Sequence, residues 1–143
     1  MTVRLEATTL VSGSSQAETL VLSEPLSFWG GLDSATGRII DQWHPEKNEV
    51  MSGRILVMRA GRGSSSGSSV LAEALRRGTG PAGIVLLARD AIVTVGAMVA
   101  AELYGKTCPV VLASEADWAA ITGAGYLAIE AGEDTATIDL DAG

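Results

Sequence analysis

The chain has 143 residues, the length of one compact domain and too short for two full ones. Hydrophobic residues make up 47% and charged residues 19% of the sequence, which predicts a packed core and excludes a disordered chain. Acidic residues outnumber Lys and Arg by 17 to 10, and the net charge of −7 argues against nucleic acid or an anionic membrane as a partner.

The N-terminal segment predicts a β-hairpin. Apolar and polar residues alternate over Val3–Thr9, which is typical of a half-buried strand. Ser12–Ser15 predicts a turn, and Glu18–Leu22 predicts the returning strand.

Residues 23–53 form a long irregular segment punctuated by Gly and Pro. Long loops inside compact domains are usually functional or disordered. This one carries the apolar side chains of Phe28, Trp29 and Trp43, which a solvated linker would lack. We therefore expect an ordered functional loop.

From residue 54 onward, strands and helices alternate. Arg54–Met58 reads as a buried strand, and an apolar helical face with a C-capping glycine predicts a helix from about Val70 to Gly78. Further strands and helices follow, at Gly83–Leu87, Thr94–Leu103, Pro109–Leu112, Ser114–Gly123, Tyr126–Glu130 and Thr135–Leu140. The pattern predicts one α/β domain over residues 1–143, with mixed parallel and antiparallel strands.

A run of Gly and Ser, residues 61–69, separates the strand after residue 54 from its helix, and we call it the serine loop. Its backbone N–H groups are expected to converge at the helix N-terminus, where they bind anions and stabilise developing negative charge. A flexible Gly/Ser connector is the simpler alternative. A nucleotide-binding P-loop is not supported, because the Lys that ends that motif is missing.

Cys108 and His44 are single residues of their types. One cysteine excludes an intrachain disulfide and a self-contained iron–sulfur cluster, and we expect Cys108 to be a buried small hydrophobe. His44 is expected to be a loop histidine, with a role as general acid as the alternative. Met1–Leu10 lacks the apolar centre of a signal peptide, and Ala91–Leu103 is shorter than the roughly 20 apolar residues that span a membrane, so we expect a cytoplasmic protein.

Several spaced motifs occur in the order Phe28–Asp33, Thr36-Gly37, Asp41, His44-Pro45, Gly53–Leu56 and Gly61–Ser68. Together they resemble the small, swivel-domain subunit of the aconitase X family. The resemblance implies a swivelling β/β/α domain whose serine loop joins a strand to a helix. It also implies an aconitase X-type large subunit as partner and a small hydroxy acid as substrate. An iron or iron–sulfur cofactor, to which the leaving hydroxide binds, is implied on that large subunit.

Two dehydratases fit this resemblance. The preferred activity converts cis-3-hydroxy-L-proline to Δ1-pyrroline-2-carboxylate, and the alternative is phosphomevalonate dehydratase. A non-catalytic swivel or carrier module is a third hypothesis. Phosphohistidine carriers need a histidine in a Gly-rich Thr-Ser-His context, whereas His44 follows Gln42-Trp43.

The resemblance also implies the site residues. Ser64 is the first candidate for a serine base and Ser65 the second. Arg62, Gly63 and Ser66 are expected to contact substrate, with capping of the following helix as the alternative for Ser66. Aconitase-like swivel domains carry Gly-Ser-Ser-Arg, and here Ser66 stands in the place of that arginine. Arg62 is therefore the substitute candidate for carboxylate binding, with a surface or subunit-interface charge as its alternative role.

Gly30, Gly31 and Asp33 form a second candidate patch. The paired glycines suit a close approach of substrate or partner. Asp33 is expected to orient the serine loop or an arginine, with an Asx turn as the alternative.

Overall fold

The computed structural model describes residues 2–141 of the chain. Within them the chain forms nine strands and four helical segments. The strands are β1 (Thr2–Val11), β2 (Gly13–Val21), β3 (Leu32–Asp33), β4 (Arg38–Ile39), β5 (Ile55–Met58), β6 (Gly83–Leu86), β7 (Val110–Leu112), β8 (Tyr126–Ala131) and β9 (Thr135–Asp141). The helical segments are α1 (Phe28–Gly31), a single kinked turn, α2 (Gly67–Arg77), α3 (Ala91–Tyr104) and α4 (Glu115–Thr122).

Seven strands close into a barrel in the order β1-β7-β6-β5-β2-β8-β9. Three neighbouring pairs are parallel: β2 with β5, β5 with β6, and β6 with β7. The other four pairs of the barrel are antiparallel. The small strands β3 and β4 form a separate antiparallel ribbon. The predicted mixed α/β fold is therefore confirmed.

The prediction of an N-terminal hairpin is wrong, because the first two strands do not pair with each other. Strands β1 and β2 follow each other with only Ser12 between them, yet β1 lies between β7 and β9, and β2 lies between β5 and β8. Gly13, at φ +149°, passes close to Pro109, whose Cδ would lie 3.3 Å from a Cβ atom on Gly13. The residues predicted as a turn are thus a break between two barrel strands, and Ser14 and Ser15 belong to β2.

The parallel strands are buried on both faces. Ile55 and Val57 of β5 belong to the core that also contains Ile129 and Ile138 of β8 and β9. Leu56 and Met58 belong to a second core with residues of α2 and α3. Burial on both sides explains why this strand reads as a continuous apolar run rather than as an alternation.

Capping residues set the ends of the helices. Gly78 adopts the left-handed conformation predicted for the end of α2, and the Asp90 carboxylate accepts a hydrogen bond from the N–H of Val93 (2.9 Å) at the start of α3. Ser114 occupies the N-cap position of α4, and its hydroxyl donates to the Asp117 carboxylate (2.9 Å) without capping the helix backbone. No helix among residues 2–141 is long and apolar enough to cross a membrane.

Candidate active site

The serine loop lies at the carboxyl edge of the parallel strands, between the end of β5 and the start of α2. Gly61 pairs with Leu26 in an isolated parallel bridge, and the N–H of Arg62 donates to the carbonyl of Leu26 (3.2 Å). The first half of the loop is therefore fixed against the segment that precedes α1. Such edges, where helices begin after parallel strands, commonly bind ligands.

The second half of the loop winds directly into α2. The N–H of Gly67 donates to the carbonyl of Ser64 (2.9 Å), and the N–H of Ser68 donates to that of Ser65 (3.1 Å). Ser66 occupies the N-cap position of the helix without capping it through its side chain. The positive end of the α2 dipole therefore points toward these serines, and it would stabilise an anion held there.

The serine hydroxyls differ in their contacts. The N–H of Ser66 donates to Ser64 Oγ (3.1 Å), and a donor at this oxygen would favour its deprotonated form. Within residues 2–141 the hydroxyl of Ser65 has no hydrogen-bond partner. Ser68 donates to the carbonyl of Ile92 (2.7 Å) and so ties α2 to α3. Ser64, Ser65 and Ser66 are all exposed to solvent.

Position 63 requires glycine for two reasons, its backbone conformation and the close approach of Ser27. Its φ of +96° lies in the left-handed region, and a Cβ atom placed on it would lie 2.8 Å from Ser27 Cβ and still closer to Ser27 Oγ. Gly30 has φ +78° with nothing within 4 Å of such an atom. Both glycines adopt a positive φ, but only at Gly63 would a side chain also collide with a neighbouring residue.

We expect Gly63→Ala to lower the free energy of unfolding by about 2–4 kcal/mol, because strain and overpacking add. Gly30→Ala, the matched control, is expected to cost only about 1–2 kcal/mol, from the backbone alone. Urea unfolding of both variants measures the difference. Equal losses would contradict the assigned contact between Gly63 and Ser27.

The loop around α1 packs on the start of α2. A Cβ atom on Gly67 would lie 3.5 Å from Phe28 Cβ and 3.6 Å from the backbone nitrogen of Trp29. Gly31 is buried, with Leu26 Cδ1 3.1 Å from its Cβ position, whereas Gly30 is exposed. The structure thus brings Gly30 and Gly31 to the end of α2 where the serine loop lies.

Asp33 is not brought there. Its carboxylate accepts hydrogen bonds from the N–H of Ala35 (2.9 Å) and the hydroxyl of Thr36 (3.1 Å), which is the Asx-turn alternative. The neighbouring Ser34 carbonyl accepts from Thr79 (2.6 Å), which follows the end of α2. Because Thr79 follows the last residue of α2, this hydrogen bond holds the turn at the end of α2 opposite to the serine loop.

Asp41 faces the first half of the serine loop. Its Oδ2 lies 3.6 Å from Arg62 Nη2, and its Oδ1 accepts a hydrogen bond from the N–H of Trp43 (3.0 Å). Asp41 belongs to the motifs that carry the family resemblance, but no local sequence pattern predicts its contact with Arg62, which lies 21 residues further along the chain. The exposed side chains of Trp29 (60%) and Trp43 (91%) belong to the same long loop.

His44 holds the long loop together. It is 4% exposed, and its Nδ1 accepts a hydrogen bond from the N–H of Glu46 (3.1 Å). Its Nε2 therefore carries the proton and donates to the carbonyl of Glu24 (3.0 Å). With both nitrogens engaged inside the loop, His44 has the structural role expected of a loop histidine.

The described residues do not fit an iron–sulfur cluster. Residues 2–141 contain no group of three His, Cys, Asp or Glu side chains that could hold a metal ion. Cys108 is buried, as predicted, and burial raises the pKa of its thiol to about 12, which disfavours the thiolate that ligates iron.

Comparison with known proteins identifies the family. Residues 4–138 match the family model described as aconitase X swivel domain. The chain belongs to this family. The matched region of this swivel domain contains the whole serine loop and the Asp41–Arg62 pair.

The swivel domain is similar to parts of two long dehydratases and to separate small subunits. It is 38% identical over 127 residues to cis-3-hydroxy-L-proline dehydratase of Hypocrea jecorina, covering 89% of this chain and 21% of that protein. It is 44% identical over 107 residues to the Pseudomonas aeruginosa protein of the same name, covering 75% and 18%. The chain thus spans about one fifth of the length of these two relatives. It is also 47% identical over 94 residues to the phosphomevalonate dehydratase small subunit of Methanopyrus kandleri, covering 66% and 70%.

Two solved structures share the fold. The crystal structure of Thermococcus kodakaraensis aconitase X in its holo form matches with a TM-score of 0.80 at 26% identity, over 95% of this chain and 98% of that one. A solution NMR structure of a UPF0107 protein matches with a TM-score of 0.81 at 30% identity, over 98% and 100%.

Proposed function

We propose that this swivel domain is the small subunit of a hydro-lyase that converts cis-3-hydroxy-L-proline to Δ1-pyrroline-2-carboxylate. The proposal is carried by the similarity to two proteins named for dehydration of this hydroxy acid, 38% and 44% identical to the chain. An aconitase X-type large subunit is the proposed partner. The separate small subunits among the relatives support that arrangement.

Ser64 is the proposed base that removes the proton from the carbon bearing the carboxylate. A serine is a weak base in water, so its alkoxide must be stabilised by the surrounding groups. The N–H of Ser66 donates to Ser64 Oγ at 3.1 Å, and α2 begins at Gly67, three residues after Ser64. Both features favour negative charge on this oxygen. Ser65 is the second candidate, since its hydroxyl is exposed in the same turn.

Loss of this proton and of the 3-hydroxyl group removes one water from the substrate. The ring nitrogen sits on the carbon that loses the proton, so the first product is an enamine, which tautomerises to the cyclic imine by taking a proton at C3. Departure of the hydroxyl needs an acid. We assign that acid, and any iron or iron–sulfur cofactor, to the large subunit.

Local charge favours the imino acid over a phosphorylated acid. Two carboxylates flank the first half of the loop: Asp41 beside Arg62, and Asp90, whose Oδ2 lies 2.9 Å from the Cβ position of Gly61. The imino acid carries one cation and one anion, whereas mevalonate 5-phosphate adds the charge of its phosphate. Asp41 and Asp90 together outweigh the single positive charge of Arg62 here, and this disfavours the additional negative charge of a phosphate.

Coexpression of the chain with an aconitase X-type large subunit from its own genome tests the proposal. The purified pair is expected to convert cis-3-hydroxy-L-proline to Δ1-pyrroline-2-carboxylate, with solvent deuterium appearing at C3 in heavy water. Turnover of mevalonate 5-phosphate alone would replace the substrate and keep the reaction class. A stable pair with no activity on either acid would favour the non-catalytic module.

A further inference from the structure

We propose that Asp41 is a positioning residue that holds the guanidinium of Arg62 beside Ser64, where it meets the carboxylate of the substrate. The identity of that ligand rests on the proposed function. The placement of Arg62 by Asp41 rests on the contacts of the two side chains alone.

Asp41 is itself held in place from both sides. Its Oδ1 accepts a hydrogen bond from the N–H of Trp43 (3.0 Å), and its own carbonyl accepts one from His44 (3.2 Å). Just before it, the N–H of Ile40 donates to the carbonyl of Gly31 (2.8 Å). The Asp41 side chain is only 20% exposed, so its carboxylate is a fixed negative charge rather than a mobile one.

Arg62 is anchored at its backbone but not at its side chain. Its N–H donates to the carbonyl of Leu26, while the side chain is 48% exposed. The contact from Nη2 to Asp41 Oδ2 is 3.6 Å, longer than the roughly 2.7–2.9 Å of a charge-assisted hydrogen bond. Asp41 therefore attracts the guanidinium without occupying its N–H donors, which are left for a second carboxylate.

This arrangement assigns Asp41 to binding rather than to proton transfer. Holding a long side chain in its binding position before the substrate arrives lowers the entropy lost on binding. Loss of that restraint is expected to raise KM and to leave kcat unchanged.

Asp41→Asn separates the charge of Asp41 from its hydrogen bond. Asparagine retains an oxygen that can accept from the N–H of Trp43, but it loses the attraction for Arg62. Glu49→Gln is the matched control, because Glu49 pairs with Arg54 at a similar 3.7 Å. Arg54 immediately precedes β5, at the end of the strand opposite to the serine loop.

NMR relaxation of the 143-residue chain tests the positioning without any assay. The order parameter of the Arg62 Nε–H group is expected to fall in Asp41→Asn and to stay unchanged in Glu49→Gln. An unchanged order parameter in Asp41→Asn would overturn the proposal. The order parameter is measured on the isolated chain, so this test does not depend on whether the paired enzyme acts on either acid.

Kinetics of the paired enzyme test the consequence for the substrate. Asp41→Asn is expected to raise KM about three- to fivefold, the size of a half-exposed ion pair, with kcat unchanged. In an Arg62→Ala background the same change is expected to have no further effect. An equal rise of KM in both backgrounds, or a fall in kcat alone, would contradict action through Arg62. A wild-type pair inactive on both acids would instead contradict the proposed function.

Discussion

Replacing Ser64 by alanine is expected to lower kcat of the paired enzyme at least about a hundredfold, the usual contribution of a general base. The change removes the oxygen that would hold the proton. It also removes one acceptor for the N–H of Ser66, so the free energy of unfolding is expected to fall by no more than about 1 kcal/mol. Steady-state kinetics and urea unfolding of the same preparation separate the two effects.

Ser69→Ala is the control for this experiment. Ser69 is exposed in the first turn of α2, and its variant is expected to keep normal turnover. Ser65→Ala distinguishes the two candidate bases. An inactive Ser65→Ala enzyme beside a normal Ser64→Ala enzyme would move the base one residue along the loop.

The isolated chain is expected to be folded but to turn over neither acid, with activity appearing only when the large subunit is added. Ser64, Ser65 and Ser66 are exposed, and water at an open site would protonate a serine alkoxide rather than leave it free to act as a base. Assays of the chain alone, of the large subunit alone and of the pair measure this.

Circular dichroism of the chain is the control, because an unfolded chain would be inactive for a different reason. Turnover by a purified, folded chain without its partner would show that the acid for hydroxyl departure lies in this swivel domain. That result would overturn the assignment of this acid to the large subunit.

The strand–loop–helix unit was predictable from sequence, whereas the partners of the first two strands were not. Arg54–Met58 is an apolar run and the next helix has an apolar face, and each signal belongs to one element. β5 forms where the run indicates, whereas α2 begins at Gly67, three residues before the predicted start at Val70. The alternation over Val3–Thr9 also predicts β1 correctly, but a period of two says nothing about which strand lies beside it. The pairing of Thr2 with Asp141 could not be predicted, because a local sequence pattern carries no information about a residue so distant in sequence.

The candidate site shows the same limit. Sequence reasoning selected the serine loop because Gly and Ser cluster between two strong elements. It could not separate Asp33 from Asp41, since both follow the paired glycines in a loop without periodicity. Only the fold decides that Asp33 turns toward the end of α2 near Thr79, while Asp41 reaches Arg62.

The closure of the barrel by β1 and β9 governs how this swivel domain can fold. β1 pairs with β9 from Thr2–Asp141 to Thr8–Thr135, so these contacts join the first described strand to the last one. Such a high contact order slows folding, because the loop must close before the strands gain their hydrogen bonds. During synthesis, β1 must wait for β9 to leave the ribosome, and its polar backbone edge is open to other chains until then. Aggregation during expression would therefore depend on how quickly the C-terminal hairpin of β8 and β9 reaches the first strand.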